Sequence, residues 1–324
     1  MTITIFGGKV PPAKEPKLPR RAPAKRRGRK GSPAEPPPAT PRPAADGLRL
    51  MSLNIAHARR KSQHQSLLRE TTIRRNLELI AGVIQREEPQ VVALQEADGP
   101  SSWSGKFDHV GMLSDLAGYP HSFRGEHNPP ALARFDVSYG TALLSRLPLD
   151  GPHSLAFQQN WRDTKGFVAA TIAPEALGGE SVDVVSIHLD FLADRVRRQQ
   201  VEQLVETFRD HQRHLIVMGD FNCAWSERRR SLGLLHRELK LRPFRDLASP
   251  TYPAWRPLVR LDWILISEGL DFTNYQTLDD HVSDHLGILA DVRLRGESAR
   301  SGKSEADEAE GDQPPRRLPS VSLA

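Results

Sequence analysis

The chain has 324 residues, 38% of them hydrophobic, and a formal net charge of +5, a composition that supports one large core or two smaller ones. Its one cysteine, Cys223, excludes an internal disulfide and a structural zinc site built from cysteines. No apolar run approaches the roughly 18–20 residues that a membrane-spanning helix needs, so no transmembrane segment is predicted.

The first segment, residues 1–46, carries the positive charge of the chain. It holds 11 Lys and Arg against 3 Asp and Glu, whereas residues 47–295 hold 30 against 31. The segment is rich in Pro and Ala and has too few apolar groups to offset the entropy of ordering, so we expect it to be disordered. Two interpretations stay open: an electrostatic arm for nucleic acid, ribosomes or an anionic membrane surface, and a solvated extension without a function.

The extreme N-terminus, MTITIFGGKVPPAKEPK, is a poor secretory signal, because no basic segment precedes the apolar residues and proline follows at once. The single cysteine is typical of a reducing compartment. We therefore expect a soluble, cytoplasmic protein that is a monomer.

Residues 47–295 alternate short apolar runs with helical patterns. One helix is predicted by the spacing of Ile73, Leu77, Ile80 and Ile84, with Pro89 beyond its end. A second helix is predicted by the apolar stripe Val201, Leu204, Val205 and Phe208. Strands are predicted over 48–53, 91–94, 137–144, 166–173, 182–187, 215–218, 261–266 and 286–292.

About nine strands mixed with helices favour an α/β domain of two packed sheets with helices outside. A doubly wound nucleotide-binding fold is disfavoured, because the sequence has neither a G-x-G-x-x-G turn nor a G-x-x-x-x-G-K-[ST] loop. The last stretch, residues 296–324, is Pro-rich and polar, and we expect it to be disordered.

Polar residues recur where the predicted strands begin or end. They are Asn54, Glu96, His188, Asp220 with Asn222, Asp262, and Asp284 with His285. Side chains two positions apart in an extended chain point the same way, so Asp220 and Asn222 are expected to face one site. Carboxylate and amide oxygens suit a hard cation such as Mg²⁺ or Mn²⁺, and histidines beside them can donate to a phosphoryl group. A zinc protease is not indicated, since no H-E-x-x-H helix is present.

These segments resemble the endonuclease/exonuclease/phosphatase superfamily, the metal-dependent phosphohydrolases that include deoxyribonuclease I, exonuclease III and neutral sphingomyelinases. The resemblance covers roughly residues 48–293, and the matching pieces occur in the family's order. They are SLN (52–54), LQE (94–96), GTALLSR (140–146), SIHLD (186–190), GDFN (219–222), LDWILIS (261–267) and SDH (283–285). The resemblance implies a four-layer α/β sandwich of two packed mixed sheets flanked by helices, with residues 47–295 as the catalytic domain.

The resemblance also implies a role for each residue. Glu96 corresponds to the principal metal-binding Glu, Asn54 to the Asn that helps hold the metal or an adjacent water, and Asp284 to a second metal-site carboxylate. Asp220 corresponds to the residue that orients or deprotonates the attacking water, and Asn222 to its supporting amide. His285 corresponds to the His that contacts the scissile phosphate, and Asp262 to the acid that holds it. His188 corresponds to a His of the deoxyribonuclease and sphingomyelinase branches.

The resemblance does not choose the substrate. We expect a phosphodiesterase or nuclease that uses a metal-assisted water, with nucleic acid bound through the basic tail. The alternatives are a phospholipid or inositol-phosphate phosphodiesterase or phosphatase, favoured by the near-neutral charge of residues 47–295, and a non-catalytic binding protein on the same fold. Ala97 follows Glu96 where abasic-site endonucleases commonly have Lys, which disfavours that branch.

Other polar and aromatic residues have ordinary structural interpretations. Asp190 is expected to be the N-cap of the following helix. The aromatic side chains of Trp103, Phe107 and Tyr119 are expected to pack in the core rather than shape a substrate pocket. Arg146 is left outside the predicted site.

Overall fold

The computed structural model describes residues 47–127, 137–157, 165–224, 232–245 and 249–296. The two predicted tails, residues 1–46 and the C-terminal stretch from residue 297 onward, lie outside the described residues, so their predicted disorder stays a prediction. Within the described ranges, no helix combines the length and the apolar composition that crossing a membrane requires.

Two six-stranded sheets form the centre of the fold. The first contains, in spatial order, β11 (Leu270–Thr277), β12 (Ile288–Leu294), β1 (Leu48–Asn54), β2 (Val91–Asp98), β4 (Tyr139–Ser145) and β3 (His121–Arg124). The second contains β5 (Asp150–Ala156), β6 (Gly166–Ile172), β7 (Val182–His188), β8 (His214–Asp220), β10 (Asp262–Ile266) and β9 (Arg242–Pro243). Both sheets are mixed, because β1 pairs with β2 and β7 with β8 in parallel while the other neighbouring strands are antiparallel.

In the part of the chain that the structure describes, four α-helices cover the outer faces of the sheets. They are α1 (Glu70–Glu87), α2 (His109–Ala117), α3 (Asp194–Phe208) and α4 (Leu232–Leu239). The first two pack their apolar side chains on the outer face of the first sheet. The last two do the same on the second sheet. The predicted four-layer α/β sandwich is confirmed.

The sheets face each other across a predominantly apolar core. Alternate residues of β1, β2 and β12 meet alternate residues of β7, β8 and β10, as the two-residue period of extended chain requires. Examples with no exposed surface are Leu50, Val91, Ile288, Val184, Ile216 and Ile264. Burying each such side chain contributes about 1.5–3 kcal/mol, so this layer fixes the position of one sheet on the other.

Helix α1 has the residues that its spacing predicts. Ile73, Leu77, Ile80 and Ile84 are all fully buried on one stripe. The helix ends where Glu88 takes a left-handed conformation and its N–H donates to the Ile84 carbonyl oxygen.

The prediction of about nine strands, eight of them with stated ranges, is low, since the described residues contain twelve. Strands β3, β5, β9 and β11 were missed, as were helices α2 and α4. Strand β5 is an edge strand that begins Asp150-Gly151-Pro152 and is mostly exposed, so it has no apolar alternation to detect. Helix α2 has the capping signals of a helix, because Asp108 accepts the N–H of Val110 (3.0 Å) and Gly118 follows the last turn in a left-handed conformation.

Candidate active site

A cleft of about 780 Å³ lies where β7 and β8 end and β10 begins. Six of the eight predicted site residues line it: Glu96, His188, Asp220, Asn222, Asp284 and His285. The other two, Asn54 and Asp262, do not line the cleft but contact Asp220 and His285 respectively. The structure therefore brings all eight predicted residues to one place.

Strand register explains how three of these residues meet. His188 is the parallel-sheet partner of Asp220, and Asp262 is its antiparallel partner on the other side. The three residues therefore form one row across the second sheet, at the strand ends that open into the cleft. In this row His188 Nε2 lies 3.5 Å from Asp220 Oδ2.

The residue before Asp220 has to be glycine. Gly219 has φ +152°, and a Cβ atom built on it would lie 1.9 Å from the Ile187 carbonyl oxygen of the neighbouring strand. Beyond Asp220, Asn222 has φ +50°, and its backbone N–H donates to Asp220 Oδ1 (2.9 Å). Its side-chain NH₂ donates to the Leu189 carbonyl oxygen (2.9 Å), so the amide oxygen is the atom that it offers to the cleft.

His285 and Asp262 form a buried pair. His285 Nδ1 lies 2.9 Å from Asp262 Oδ2, which also accepts the Thr251 hydroxyl, while Nε2 lies 3.7 Å from Asp220 Oδ2. Burial disfavours the imidazolium, but the charges of Asp262 and Asp220 outweigh burial and raise the pKa of His285 to about 10. Burial and the nearby Asp262 carboxylate in turn raise the pKa of Asp220 above its usual range. At neutral pH the His285 ring is therefore charged, and the pKa of Asp220 lies near the value that suits a general base.

Asn54, the last residue of β1, links the two sheets. Its Nδ2 donates to Asp220 Oδ2 (3.1 Å), and its Oδ1 accepts the N–H of Ala56 (2.9 Å). The predicted role of Asn54 was to help hold a metal ion or an adjacent water. That role stays a prediction, and in this structure the amide also fixes the orientation of the Asp220 carboxylate from the opposite sheet.

Glu96 faces the cleft because of a β-bulge. The pairing of β2 with β4 shifts register between Gln95 and Ala97, and Glu96 has φ +50°. Gln95 points between the sheets and donates to Ser186 Oγ (3.1 Å), so the bulge turns the next side chain toward the cleft. Burial would raise the pKa of Glu96, but the nearby basic groups, His57 foremost and Lys165 among them, hold it well below its usual range, so the carboxylate is ionised.

Sequence reasoning missed two cleft residues that follow β1. Ala56, His57 and Ala58 have φ values of +48°, +52° and +55°, which make a short left-handed turn. From this turn His57 reaches Asp98 with Nδ1 (2.7 Å) and Glu96 Oε2 with Nε2 (3.3 Å), and the Arg59 guanidinium pairs with Asp284. Burial opposes a proton on His57, but the two carboxylates raise its pKa above the ordinary value. The position of AHAR directly after a strand that ends in Asn54 was the available signal.

Lys165 is a further missed residue. It lines the cleft while only 7% exposed, and its Nζ lies 3.5 Å from His188 Nδ1. Burial and the Lys165 charge hold the pKa of His188 well below its usual range, so His188 is neutral. Because Lys165 faces Nδ1, the ring proton of His188 lies on Nε2, the nitrogen that faces Asp220.

Apolar and aromatic side chains complete the cleft. Trp103 lines it and stacks on Tyr139 with ring centroids 5.5 Å apart, so the expectation that Trp103 only packs in the core is wrong. Phe191 and Leu192 also line the cleft, yet they are 57% and 73% exposed. Tyr119 packs in the core as expected, and its hydroxyl donates to the Pro89 carbonyl oxygen.

Asp190 is not the N-cap that was predicted, because α3 begins after Ala193, which makes no side-chain cap. Asp190 Oδ1 instead accepts the N–H groups of Leu192 (2.9 Å) and Ala193 (2.7 Å). These bonds hold the turn that carries the exposed apolar residues of the cleft.

Two groups of side chains have the chemistry to bind a metal ion. Donor atoms of Asp220, Asp262 and His285 all lie within 4.8 Å of one another. Their mutual contacts explain these short distances without an ion. The charged imidazole of His285 already lies between the two carboxylates, so no further cation is needed there. The second group is the ionised Glu96 with Asp284, carboxylates that already face His57 and Arg59 in the same cleft.

Comparison with known proteins found a matching family model and similar solved structures. A model of the endonuclease/exonuclease/phosphatase family matches residues 51–285. Similar solved structures include an endonuclease/exonuclease/phosphatase from Beutenbergia cavernae, with 22% identity, 76% of this chain and 71% of that chain covered, and a TM-score of 0.56. The human Nocturnin catalytic domain with bound sulfate anion has 22% identity, 78% and 96% coverage, and a TM-score of 0.59. A mannosyl-6-phosphatase from Bacteroides thetaiotaomicron has 13% identity, 76% and 99% coverage, and a TM-score of 0.58.

At these identities the solved structures show the fold alone, and a search of curated proteins found no significant match. The family model, in contrast, spans well over half of the chain and includes each of the eight predicted site residues. The chain therefore belongs to the endonuclease/exonuclease/phosphatase family.

Proposed function

We propose that the protein is a divalent-metal-dependent phosphodiesterase that activates a water molecule for attack on phosphorus. The family consists of enzymes that hydrolyse phosphoester bonds in general, and the observation that supports the finer proposal is the row of His188, Asp220 and Asp262 with His285 in one cleft. Glu96 lies in the same cleft on the opposite sheet. A base, a charged donor and an ionised carboxylate are thus within reach of one substrate phosphate.

Asp220 is the group that we assign to the attacking water. Its carboxylate is held from three sides, by Asn54 Nδ2, by the Asn222 backbone N–H and by the facing His188 Nε2. Its raised pKa suits a group that accepts a proton from water as the oxygen attacks phosphorus. Fixing this carboxylate removes the entropy of orienting it in the transition state.

His285 and His188 are the groups that we assign to the phosphoryl oxygens. Asp262 holds Nδ1 of His285, so Nε2–H of the charged ring points toward Asp220 and the cleft, where negative charge grows on the phosphate. His188 is neutral and donates from Nε2, and the nearby Lys165 ammonium adds a positive charge. Together these donors stabilise a pentavalent transition state more than the ground state.

The residues fit a hard divalent cation. Glu96 is ionised and reaches the cleft, and Asp284 supplies a second carboxylate there, which is the donor chemistry that Mg²⁺ and Mn²⁺ prefer. Asp284 pairs with the Arg59 guanidinium and Glu96 contacts His57, so the site already balances part of the charge that an ion would neutralise. When bound, such an ion neutralises phosphate charge and stabilises the leaving oxygen.

A phospholipid or inositol-phosphate ester is the second candidate substrate. The exposed side chains of Phe191 and Leu192 at the cleft favour it, because they would contact an apolar part of the substrate. The near-neutral charge of residues 47–295 agrees with it. A nucleic-acid substrate is favoured instead by the basic residues 1–46, through charge alone.

The proposal is tested with bis(p-nitrophenyl) phosphate in Mg²⁺ and in Mn²⁺, with EDTA as the metal-free control. We expect Asp220→Asn and His285→Gln each to lower kcat by about 10²–10⁴-fold, because each removes a proton-transfer or charge-stabilising group. The exposed Asp279→Asn and His281→Gln serve as matched controls with wild-type turnover. Metal-independent turnover, or wild-type rates in both cleft variants, would refute the mechanism.

A substrate panel at fixed metal concentration then separates the candidates: duplex DNA, single-stranded DNA, RNA, sphingomyelin and inositol phosphates. A preference for nucleic acid that disappears when residues 1–46 are deleted assigns the basic tail to substrate binding. A preference for lipid that disappears in a Phe191→Ser variant assigns the apolar turn to it.

A further inference from the structure

His57 lies between two carboxylates at the cleft and has no part in the mechanism above. Its Nδ1 is 2.7 Å from Asp98 Oδ1, and its Nε2 is 3.3 Å from Glu96 Oε2. We propose that His57 Nε2 is a direct ligand of the divalent cation that Glu96 binds, so that the site prefers Mn²⁺ to Mg²⁺. This inference rests on the proposed metal dependence and specifies which ion it uses.

The spacing of the two side chains fits a shared ion. Two neighbouring ligands of an octahedral ion, each at roughly 2.1 Å from it, are about 3 Å apart. His57 Nε2 and Glu96 Oε2 have nearly this separation, and both side chains line the cleft. An ion can therefore contact both atoms with only a small adjustment of either side chain.

The far side of the His57 ring is held as metal-binding histidines are held. Histidine ligands almost always donate their other ring N–H to a carboxylate or carbonyl group, which fixes the tautomer and the ring orientation. Asp98 supplies this carboxylate and is fully buried, and Trp103 Nε1 donates to its second oxygen (3.1 Å). An ion that binds there replaces any proton on Nε2, and with the remaining proton on Nδ1 the lone pair of Nε2 points toward Glu96.

The backbone on both sides of this contact is strained. His57 is the middle residue of three consecutive non-glycine residues with positive φ, and Glu96 also has a positive φ. Residues held in this region by the surrounding structure concentrate at ligand sites. An ordinary surface ion pair would need no such backbone, because Lys or Arg side chains reach a carboxylate from regular structure.

An imidazole ligand changes which ions the site prefers. Mg²⁺ takes oxygen ligands and keeps its waters, whereas Mn²⁺, although it also favours oxygen ligands, is a transition-metal ion that accepts an imidazole nitrogen more readily. A purely carboxylate and amide site would leave the two ions close in affinity. The His57 contact therefore predicts a preference for Mn²⁺ that depends on this one ring.

The test is isothermal titration of the full-length protein with MnCl₂ and with MgCl₂, followed by pulsed EPR of the Mn²⁺-loaded protein. We expect His57→Gln to raise the Kd for Mn²⁺ by about tenfold or more and the Kd for Mg²⁺ by less than about threefold. The ¹⁴N coupling to Mn²⁺ should disappear in the same variant. Asp98→Asn keeps the ring and should weaken Mn²⁺ binding by about tenfold. The exposed His153→Gln is the matched control and should bind both ions like the wild type.

Wild-type Mn²⁺ affinity and unchanged ¹⁴N coupling in His57→Gln would overturn the inference. If His57→Gln does not fold, as judged by thermal unfolding, Asp98→Asn decides the question by the same criterion. Failure of the proposed function is distinct: the wild type would then bind neither ion or hydrolyse esters without metal. If the wild type is metal-dependent but His57→Gln leaves the preference for Mn²⁺ over Mg²⁺ unchanged, the His57 inference is wrong and the proposed function still stands.

Discussion

Gly219→Ala is the substitution whose cost follows most directly from the structure. The new Cβ would lie 1.9 Å from the Ile187 carbonyl oxygen, whereas real Cβ contacts are essentially never under 3.0 Å. The obstacle is backbone rather than a mobile side chain, so β7 and β8 must separate locally by about 1 Å. Alanine would also be held at φ +152°, a conformation that non-glycine residues rarely adopt.

Two terms give the magnitude. Holding a non-glycine residue in a sparsely populated backbone region costs about 1–3 kcal/mol. Overpacking a well-packed interior costs about 1–3 kcal/mol more. We expect Gly219→Ala to lower the free energy of unfolding by about 2–6 kcal/mol, a large part of the total for a typical domain.

The substitution should also lower kcat, because Ile187 and Gly219 directly precede the site residues His188 and Asp220. A displacement of about 1 Å at a reacting group can lower the rate by about 10²-fold. The assay is urea unfolding followed by circular dichroism, with hydrolysis of bis(p-nitrophenyl) phosphate measured well below the midpoint.

Gly82→Ala is the matched control. Gly82 lies in α1, and no atom lies within 4 Å of the place where the alanine Cβ would stand, so alanine should raise stability by about 0.5–1 kcal/mol. A Gly219→Ala protein as stable and as active as the wild type would show that the strands tolerate the added atom, and the steric reasoning would be refuted.

Two further predictions concern the pair formed by His285 and Asp262. Asp262→Asn should lower kcat by about 10²–10⁴-fold with little change in KM, because Asp262 orients and charges His285 without lining the cleft; a large rise in KM with kcat unchanged would contradict this. The pKa of His285 is raised from 6.5 to about 10, so the stability that its charged ring contributes is present below pH 6.5 and is lost as the pH rises toward 10. The urea midpoint of the wild type should fall across that window, and His285→Gln should remove this part of the fall; equal slopes in the two proteins would count against the assignment.

Much of the fold was predictable because apolar periodicity reports burial directly. The stripe of Ile73, Leu77, Ile80 and Ile84 is buried as its spacing indicates. The apolar run 215–218 in β8 is continuous because helices and the other sheet cover both faces of that strand. Strand β5 could not be found this way, since an exposed edge strand buries no face.

The candidate site was predictable only where a strand end marks it. Asp220 and His188 stand immediately after apolar runs, so their position in the sequence places them at the edge of the sheet. Glu96 faces the cleft only because of the bulge beside Gln95, and no apolar pattern indicates that bulge. The prediction of Glu96 as a site residue therefore came from the family resemblance. Lys165 directly precedes β6 and belongs to no apolar pattern that would have indicated it.

His57 and Arg59 show the limit most clearly. They enter the cleft through consecutive left-handed residues, and Ala56-His57-Ala58 contains no glycine that would indicate such a turn. The side-chain contacts that position them, with Asp98, Glu96 and Asp284, involve residues far away in the sequence.

The amide of Asn54 reaches from β1 of one sheet to Asp220 of the other, and the Gln95–Ser186 contact joins the same two sheets below it. The proposed base and the proposed metal-binding carboxylate therefore belong to different halves of the molecule. Any slippage between those halves alters the gap that a phosphate has to bridge. The catalytic rate should therefore depend on how closely the side chains between the two sheets pack, even at positions that do not contact the substrate.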